Sequence, residues 1–127
     1  MDILLDTHAL WWLLEGNDKI PKTVIETIHD TEIVTYVSIA SVWEVAIKIS
    51  IGKLNFDGGI ERFIETIEDN DFSLLKISPE HIKTIVELPF IHRDPFDRML
   101  IAQAMVEEMP IITTDTNIIK YDIKAVW

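Results

Sequence analysis

Short apolar runs alternate along this chain with longer stretches whose apolar residues recur every three or four positions, and few folds accommodate that alternation. Asp2–Asp6 (DILLD) is a continuous apolar strand of the kind buried on both faces of a parallel sheet. A helix follows over His8–Glu15 and closes at Gly16-Asn17-Asp18, and Pro21 opens a second helix to about Asp30. Ile33–Val37 (IVTYV) is the next strand, after which Ser38 caps a long apolar helix that ends at Gly52. An amphipathic helix around Ile60–Glu68 leads to a third strand, Phe72–Ile77. Ser78-Pro79-Glu80 then opens a helix to about Leu88, Pro89–Arg93 is a loop, and Asp94–Glu108 is helical. Pro110–Thr114 (PIITT) is the fourth strand and Ile123–Trp127 a candidate fifth. Strands separated by helices pair in parallel through crossovers. The expectation is a three-layer α/β sandwich with a central, mainly parallel sheet of four to five strands flanked by helices. The strand order is not readable from periodicity.

The 127 residues contain no repeat, low-complexity run or linker and are read as one domain over residues 1–127. No apolar run approaches the roughly 18 residues of a membrane span. The opening Met1–Asp6 has no basic residue, so it does not read as a signal peptide. The absence of cysteine excludes disulfide scaffolds, thiol catalysis and cysteine-ligated zinc or iron–sulfur sites. A soluble, cytoplasmic domain that does not engage membranes is expected.

Net charge narrows the function classes. Eleven Lys plus Arg against 22 Asp plus Glu give −11, the wrong sign for binding nucleic acid through bulk electrostatics. Contact with RNA or DNA would need a local device such as a bound divalent cation, which inverts the field around it. Many of the acids are ordinary solvated helix faces. Asp57, Glu61, Glu65, Glu68, Asp69 and Asp71 interleave with Ile60, Phe63, Ile64 and Ile67 in that way.

Four other acids fall at one edge of the expected sheet. Ligands of open parallel sheets bind beyond the carboxyl ends of the strands. Asp6 closes the first strand, and Glu44 lies in the second turn of the helix after the second. Asp97 lies in the first turn of the helix opened by Asp94-Pro95, and Asp115 follows the strand Ile111–Thr114. Each also has a purely structural reading: Asp6 as a helix cap, Glu44 as an i,i+4 partner of Lys48, Asp97 as a first-turn acid beside the cap Asp94, and Asp115 as a turn residue. Two carboxylates about 4 Å apart repel by roughly 4 kcal/mol at an effective dielectric of 20. A hard cation with oxygen ligands removes that conflict, and Mg2+ keeps its remaining positions for water and phosphate oxygens. Metal-assisted phosphodiester hydrolysis is the reaction this placement suits, with water attack leaving a 5′-phosphate and a 3′-hydroxyl.

Competing chemistries lack their residues. Gly16, Gly52, Gly58 and Gly59 are wrongly spaced for a dinucleotide loop, and no Walker-type loop or G-x-S-x-G elbow is present. His8, His29, His81 and His92 form no H-x-x-x-H pattern, and His29 and His81 are read as helix-surface residues. Arg93 and Arg98 flank the third acid as candidate phosphate forks, with surface ion pairing the plainer role. His92 is either a phosphate donor or a loop residue. Thr7, Ser41 and Thr113 place hydroxyls next to the acids, to orient them or a water, or simply to cap and pack.

These motifs resemble a known family. Asp6-Thr7-His8-Ala9-Leu10-Trp11-Trp12 resembles the opening of PIN-domain proteins, and Ser41-Val42-Trp43-Glu44-Val45-Ala46-Ile47-Lys48 resembles their central glutamate helix. The segment from His92 to Ala104, with Asp94-Pro95-Phe96-Asp97-Arg98 at its head, is similar to the third-acid motif of the VapC toxin branch, and Ile111–Asp115 to the fourth. The resemblance implies a PIN-like fold and a Mg2+- or Mn2+-dependent ribonuclease cutting single-stranded RNA. It further implies the toxin of a toxin–antitoxin pair, a homodimer blocked by a small antitoxin. Asp6, Glu44, Asp97 and Asp115 would then be both catalytic and metal-binding. Asn117 stands where some relatives carry a further acid, and its carbonyl can still ligate. A nuclease for RNA processing or for DNA without an antitoxin, and a catalytically silent binding module, are the alternatives.

Trp11 and Trp12 project about 100° apart on a helix and cannot both face one core. With Leu13, Leu14 and Trp43 they form either an apolar patch for a partner or a pair split between the interior and the sheet edge.

Overall fold

A computed structural model describes residues 2–127. The strands are β1 (Ile3–Leu5), β2 (Thr35–Ser38), β3 (Ser73–Leu75), β4 (Ile111–Ile112) and β5 (Ala125–Val126). The helices are α1 (Thr7–Glu15), α2 (Lys22–His29), α3 (Ile39–Ser50), α4 (Gly59–Asp69), α5 (Pro79–Glu87), α6 (Pro95–Glu107) and α7 (Thr116–Ile119). All four strand pairings are parallel, in the order β3-β2-β1-β4-β5, so Ile123–Trp127 does contribute a fifth strand. Among the described residues no helix is long and apolar enough to cross a membrane.

Alternation along the short central strands divides the core. Ile3 and Leu5 of β1, with Val37 and Ile112, face α1, α2, α3 and α4, where Leu10, Val24, Val45, Phe63 and Ile67 pack against them. Leu4 and Ile111 point the other way, onto Leu100, Ile101 and Ala104 of α6 and onto Ile118 and Tyr121. β1 and β4 are buried on both faces, which is why their sequences are continuous apolar runs rather than alternating ones. Each fully buried Leu or Ile there contributes about 1.5–3 kcal/mol relative to exposure.

The strand order decides where the site lies. The chain winds from β1 to β2 to β3 on one side, then returns to place β4 on the other side of β1. The carboxyl ends of β1 and β4 therefore flank a reversal of winding, where open α/β sheets form their ligand crevice. Backbone bonding carries on past β1: Asp6 N–H donates to Ile112 O at 3.1 Å.

α7 and His81 depart from the sequence reading. The sequence carries no signal for α7, because Thr116–Ile119 is a single turn too short to show periodicity; it is opened by Asp115, whose Oδ1 accepts from Asn117 N–H. His81 is not on a helix surface but only 1% exposed. Its Nδ1 accepts from Ser78 N–H at 3.0 Å while Ser78 Oγ accepts from His81 N–H, a capping box with imidazole where Glu or Gln usually serves. Its Nε2 lies 3.2 Å from Glu107 of α6, tying α5 to its neighbour.

Candidate active site

Asp6 is where β1 becomes α1. As the N-cap it accepts from Ala9 N–H at 2.6 Å through Oδ1, and its Oδ2 accepts from the Thr113 hydroxyl. It is 3% exposed. Burial pushes its pKa up and Asp115 pushes it further, opposed by the hydrogen bonds from Thr113 and Ala9 and the charge of His8. Thr113 also accepts from Asp115 N–H at 3.0 Å, so one hydroxyl joins the two strand ends that carry the first and fourth acids.

The third acid is set by the start of α6. Asp94 Oδ1 accepts from Phe96 N–H at 2.9 Å and from Asp97 N–H at 3.0 Å, with Pro95 at the first helical position. Asp97 is thereby held in the first turn, its Oδ2 2.7 Å from His92 Nε2. Burial and the charges of Asp94 and Glu44 push Asp97 up to about 6 against the pull of His92. Glu44, on α3, accepts from Lys48 Nζ at 2.9 Å through Oε2 and from the Thr7 hydroxyl at 3.1 Å through Oε1. Thr7 Oγ1 stands 2.9 Å from the buried Ser41 hydroxyl, which locks α1 to α3.

The structural readings of Asp6, Glu44 and Asp97 hold, Asp115 is a helix cap rather than a plain turn residue, and none of these roles competes with a shared site. A cleft of about 480 Å³ is lined by Asp6, Glu44, Asp94, Asp97 and Asp115 together, with Lys48 among the few cationic groups on its wall. A carboxylate has about four acceptor positions, so a cap or an ion pair leaves each acid capacity to spare.

A model of the PIN domain family matches residues 3–124. The chain belongs to that family. No curated protein matches it in sequence. Its fold is shared with VapBC2 from Rickettsia felis, solved bound to a DNA fragment from their promoter, at a TM-score of 0.78 and 11% identity over 99% of this chain and 98% of that one. VapBC-1 from nontypeable Haemophilus influenzae superposes with a TM-score of 0.74 at 16% identity, covering 99% and 97%. DNA-bound VapBC from Salmonella typhimurium does so at 0.72 and 14%, with the same coverage. Identities this low speak to the fold alone.

Within this PIN cleft the acids are not equivalent. The donor atoms that lie within 4.8 Å of one another, among the described residues, belong to His92, Asp97 and Asp115. Asp6 and Glu44 line the same cleft, with their oxygens engaged by Thr113, Ala9, Thr7 and Lys48. His92 is the site residue that sequence reasoning left undecided. It precedes Asp97 by five residues across a helix start, and only the path of the loop brings the two side chains together.

The two arginines separate. Arg98 is not on the cleft wall: it is 7% exposed, and its guanidinium donates to Pro89 O, Ile85 O and Tyr121 Oη at 3.1 Å each, with the Phe90 ring 4.5 Å away. Its place one residue after Asp97 turns it about 100° round α6, toward carbonyls at the end of α5 and in the loop that follows. Arg93 is exposed, and no ion pair holds it among the described residues. Asn117 contributes its backbone N–H to Asp115 at 2.8 Å rather than a side-chain contact.

Trp11 and Trp12 split between two walls. Trp11 packs on Phe56 and Phe63, while Trp12 meets Trp127 at 5.6 Å, and both line the outer cleft. Trp43 is apart from them, edge-on to Phe96 at 5.2 Å and 59% exposed.

Proposed function

We propose that this PIN domain is a divalent-metal-dependent endoribonuclease for single-stranded RNA and the toxin of a toxin–antitoxin pair, acting in the cytoplasm. PIN domains are nucleases. The observation that carries the finer reading is that Asp6, Glu44, Asp97 and Asp115, from four separate segments, line one cleft at the winding reversal of the sheet.

The donor set fits Mg2+ or Mn2+. It is hard, oxygen-rich and anionic in excess, and burial with mutual repulsion raises the pKa of both Asp6 and Asp97, a conflict a dication relieves. Asp97 and Asp115 would hold the ion with Asp6, and Glu44 would complete the acidic wall. A cation held there would supply a water of lowered pKa and positive charge against the phosphodiester. The protein's own groups do the rest. Thr113 and Ala9 N–H hold the Asp6 carboxylate, and Thr7 holds Glu44. Lys48 and the unpaired Arg93 supply positive charge for RNA phosphates on a chain of net charge −11.

The partner reading rests on likeness. Another structural neighbour is a toxin–antitoxin complex from Klebsiella pneumoniae, at 19% identity and a TM-score of 0.68. A protein antitoxin is accordingly proposed for this chain, as is a homodimer. The latter has physical support in an exposed ridge on and just past α3, where Ile39, Trp43, Ile47 and Ile51 recur every four residues.

Incubating the purified chain with end-labelled single-stranded RNA and, in parallel, single-stranded DNA tests the reading. The expected result is RNA cleavage with Mg2+ or Mn2+, products bearing 5′-phosphates, and no cleavage by Asp6→Asn. Cleavage that survives EDTA would refute the mechanism, and cleavage of DNA alone would reassign the substrate.

A further inference from the structure

Next to the third acid lies a buried polar cluster at the margin of the core that metal binding does not itself require. Tyr121 is 4% exposed, yet its hydroxyl is not spent on a distant cap: it accepts from Ile91 N–H at 3.2 Å and His92 N–H at 2.9 Å and donates to Pro89 O at 2.9 Å. Arg98 closes the same loop from the other side, donating to Pro89 O and, at 3.4 Å, to His92 O. Two buried side chains, 23 residues apart, therefore engage both backbone polar groups of His92. What this clamp presents to the third acid is one imidazole, and its Nε2 meets Asp97 Oδ2 at 2.7 Å.

We propose that His92 is a positioning residue: gripped by Tyr121 and Arg98, its ring holds one oxygen of Asp97 and leaves the other free for the cation. This deepens the nuclease reading and rests on it. An ionised carboxylate can only accept, so the proton of this bond sits on Nε2 whenever Asp97 serves as a ligand. The ring then acts as an outer-shell donor to a metal-binding carboxylate, an arrangement whose loss typically costs about 10–100-fold in metal affinity or activity. The position of Arg98, buried behind the cleft, acquires a purpose in the same arrangement: it fixes the loop that fixes the histidine.

Direct Mn2+ titration by calorimetry, alongside steady-state RNA cleavage, tests this on the intact chain with His92→Ala, His92→Gln and Tyr121→Phe. His92→Ala should bind Mn2+ about 10–100-fold more weakly and lower kcat, with KM for RNA unchanged. His92→Gln, which carries an amide nitrogen at the place of ring Nε2, should restore most of both. Tyr121→Phe removes only a hydroxyl from the core and should weaken Mn2+ binding in the same direction, by less. Pulsed EPR of the bound Mn2+ should show no directly ligated imidazole nitrogen. Wild-type affinity in His92→Ala, or a rise in KM without a change in Mn2+ affinity, overturns the proposal, and so does nitrogen coupling that marks His92 as a ligand. A wild-type chain that takes up no Mn2+ at all would instead overturn the metal-dependent reading beneath it.

Discussion

Burial, with the charges of Asp94 and Glu44, lifts the Asp97 carboxyl to about 6, although the hydrogen bond from His92 pulls it down. The folded chain thus holds this proton more tightly than the unfolded chain, in which the group titrates near 3.8. The stabilisation from this group is complete below pH 3.8 and is lost as pH rises through about 6, leaving a metal-free protein strained at neutral pH. Asp97→Asn should therefore be more stable than the wild type at pH 7.5, by up to about 3 kcal/mol in urea unfolding without metal, while cleaving no RNA. At pH 4 the gap should close. The two arginines make an opposite pair. Arg98→Lys should cost on the order of 2–4 kcal/mol, because an ammonium cannot fork to the loop carbonyls and Tyr121. Arg93→Ala should stay within about 0.5 kcal/mol of wild type in the same unfolding assay while raising KM for RNA. At this scale the sequence reveals Asp6, Glu44, Asp97 and Asp115 because strand ends and helix starts are marked by local pattern. It conceals His92 and Arg98, whose roles depend on a loop path set by Tyr121, nearly thirty residues further along.

Between elements, the connection that matters most is β1 to β4. These strands are short, three and two residues, and their carboxyl ends are joined by the Thr113 hydroxyl between Asp6 and the Asp115 backbone. Thr113→Val keeps the shape but removes a buried donor and acceptor. It should cost about 1–3 kcal/mol in thermal or urea unfolding, and it should reduce RNA cleavage far more than Thr114→Val, one residue on at an exposed position. The elements themselves were legible in outline. Apolar runs bounded by turn residues marked every strand, and Ser38, Ser78 and Asp94 are the caps expected of them. Ends were less legible: the third strand shrinks from Phe72–Ile77 to Ser73–Leu75 because its sheet-edge position pairs it on one side only. Single-turn α7 and the inward turn of His81 have no periodic signature, since both are fixed by hydrogen bonds to particular partners.

Across the whole molecule, periodicity supports parallel pairing but carries no information on strand order. The β3-β2-β1-β4-β5 order is what brings Asp6 beside Asp115. The same global packing leaves the Ile39, Trp43, Ile47 and Ile51 ridge uncovered. If a second copy covers it, Trp43→Glu should convert a dimer into a monomer in sedimentation velocity with the fold retained by circular dichroism. A wild-type chain that sediments as a monomer at high concentration would remove the dimer from the account.

The convergence of acids on a dication is tested most directly by anomalous diffraction from crystals of this chain soaked in Mn2+. The expected result is a peak about 2 Å from carboxylate oxygens of Asp97 and Asp115, within reach of Asp6 and absent from Asp97→Asn. An empty cleft at saturating Mn2+, or a peak held elsewhere on the acidic surface, would contradict it.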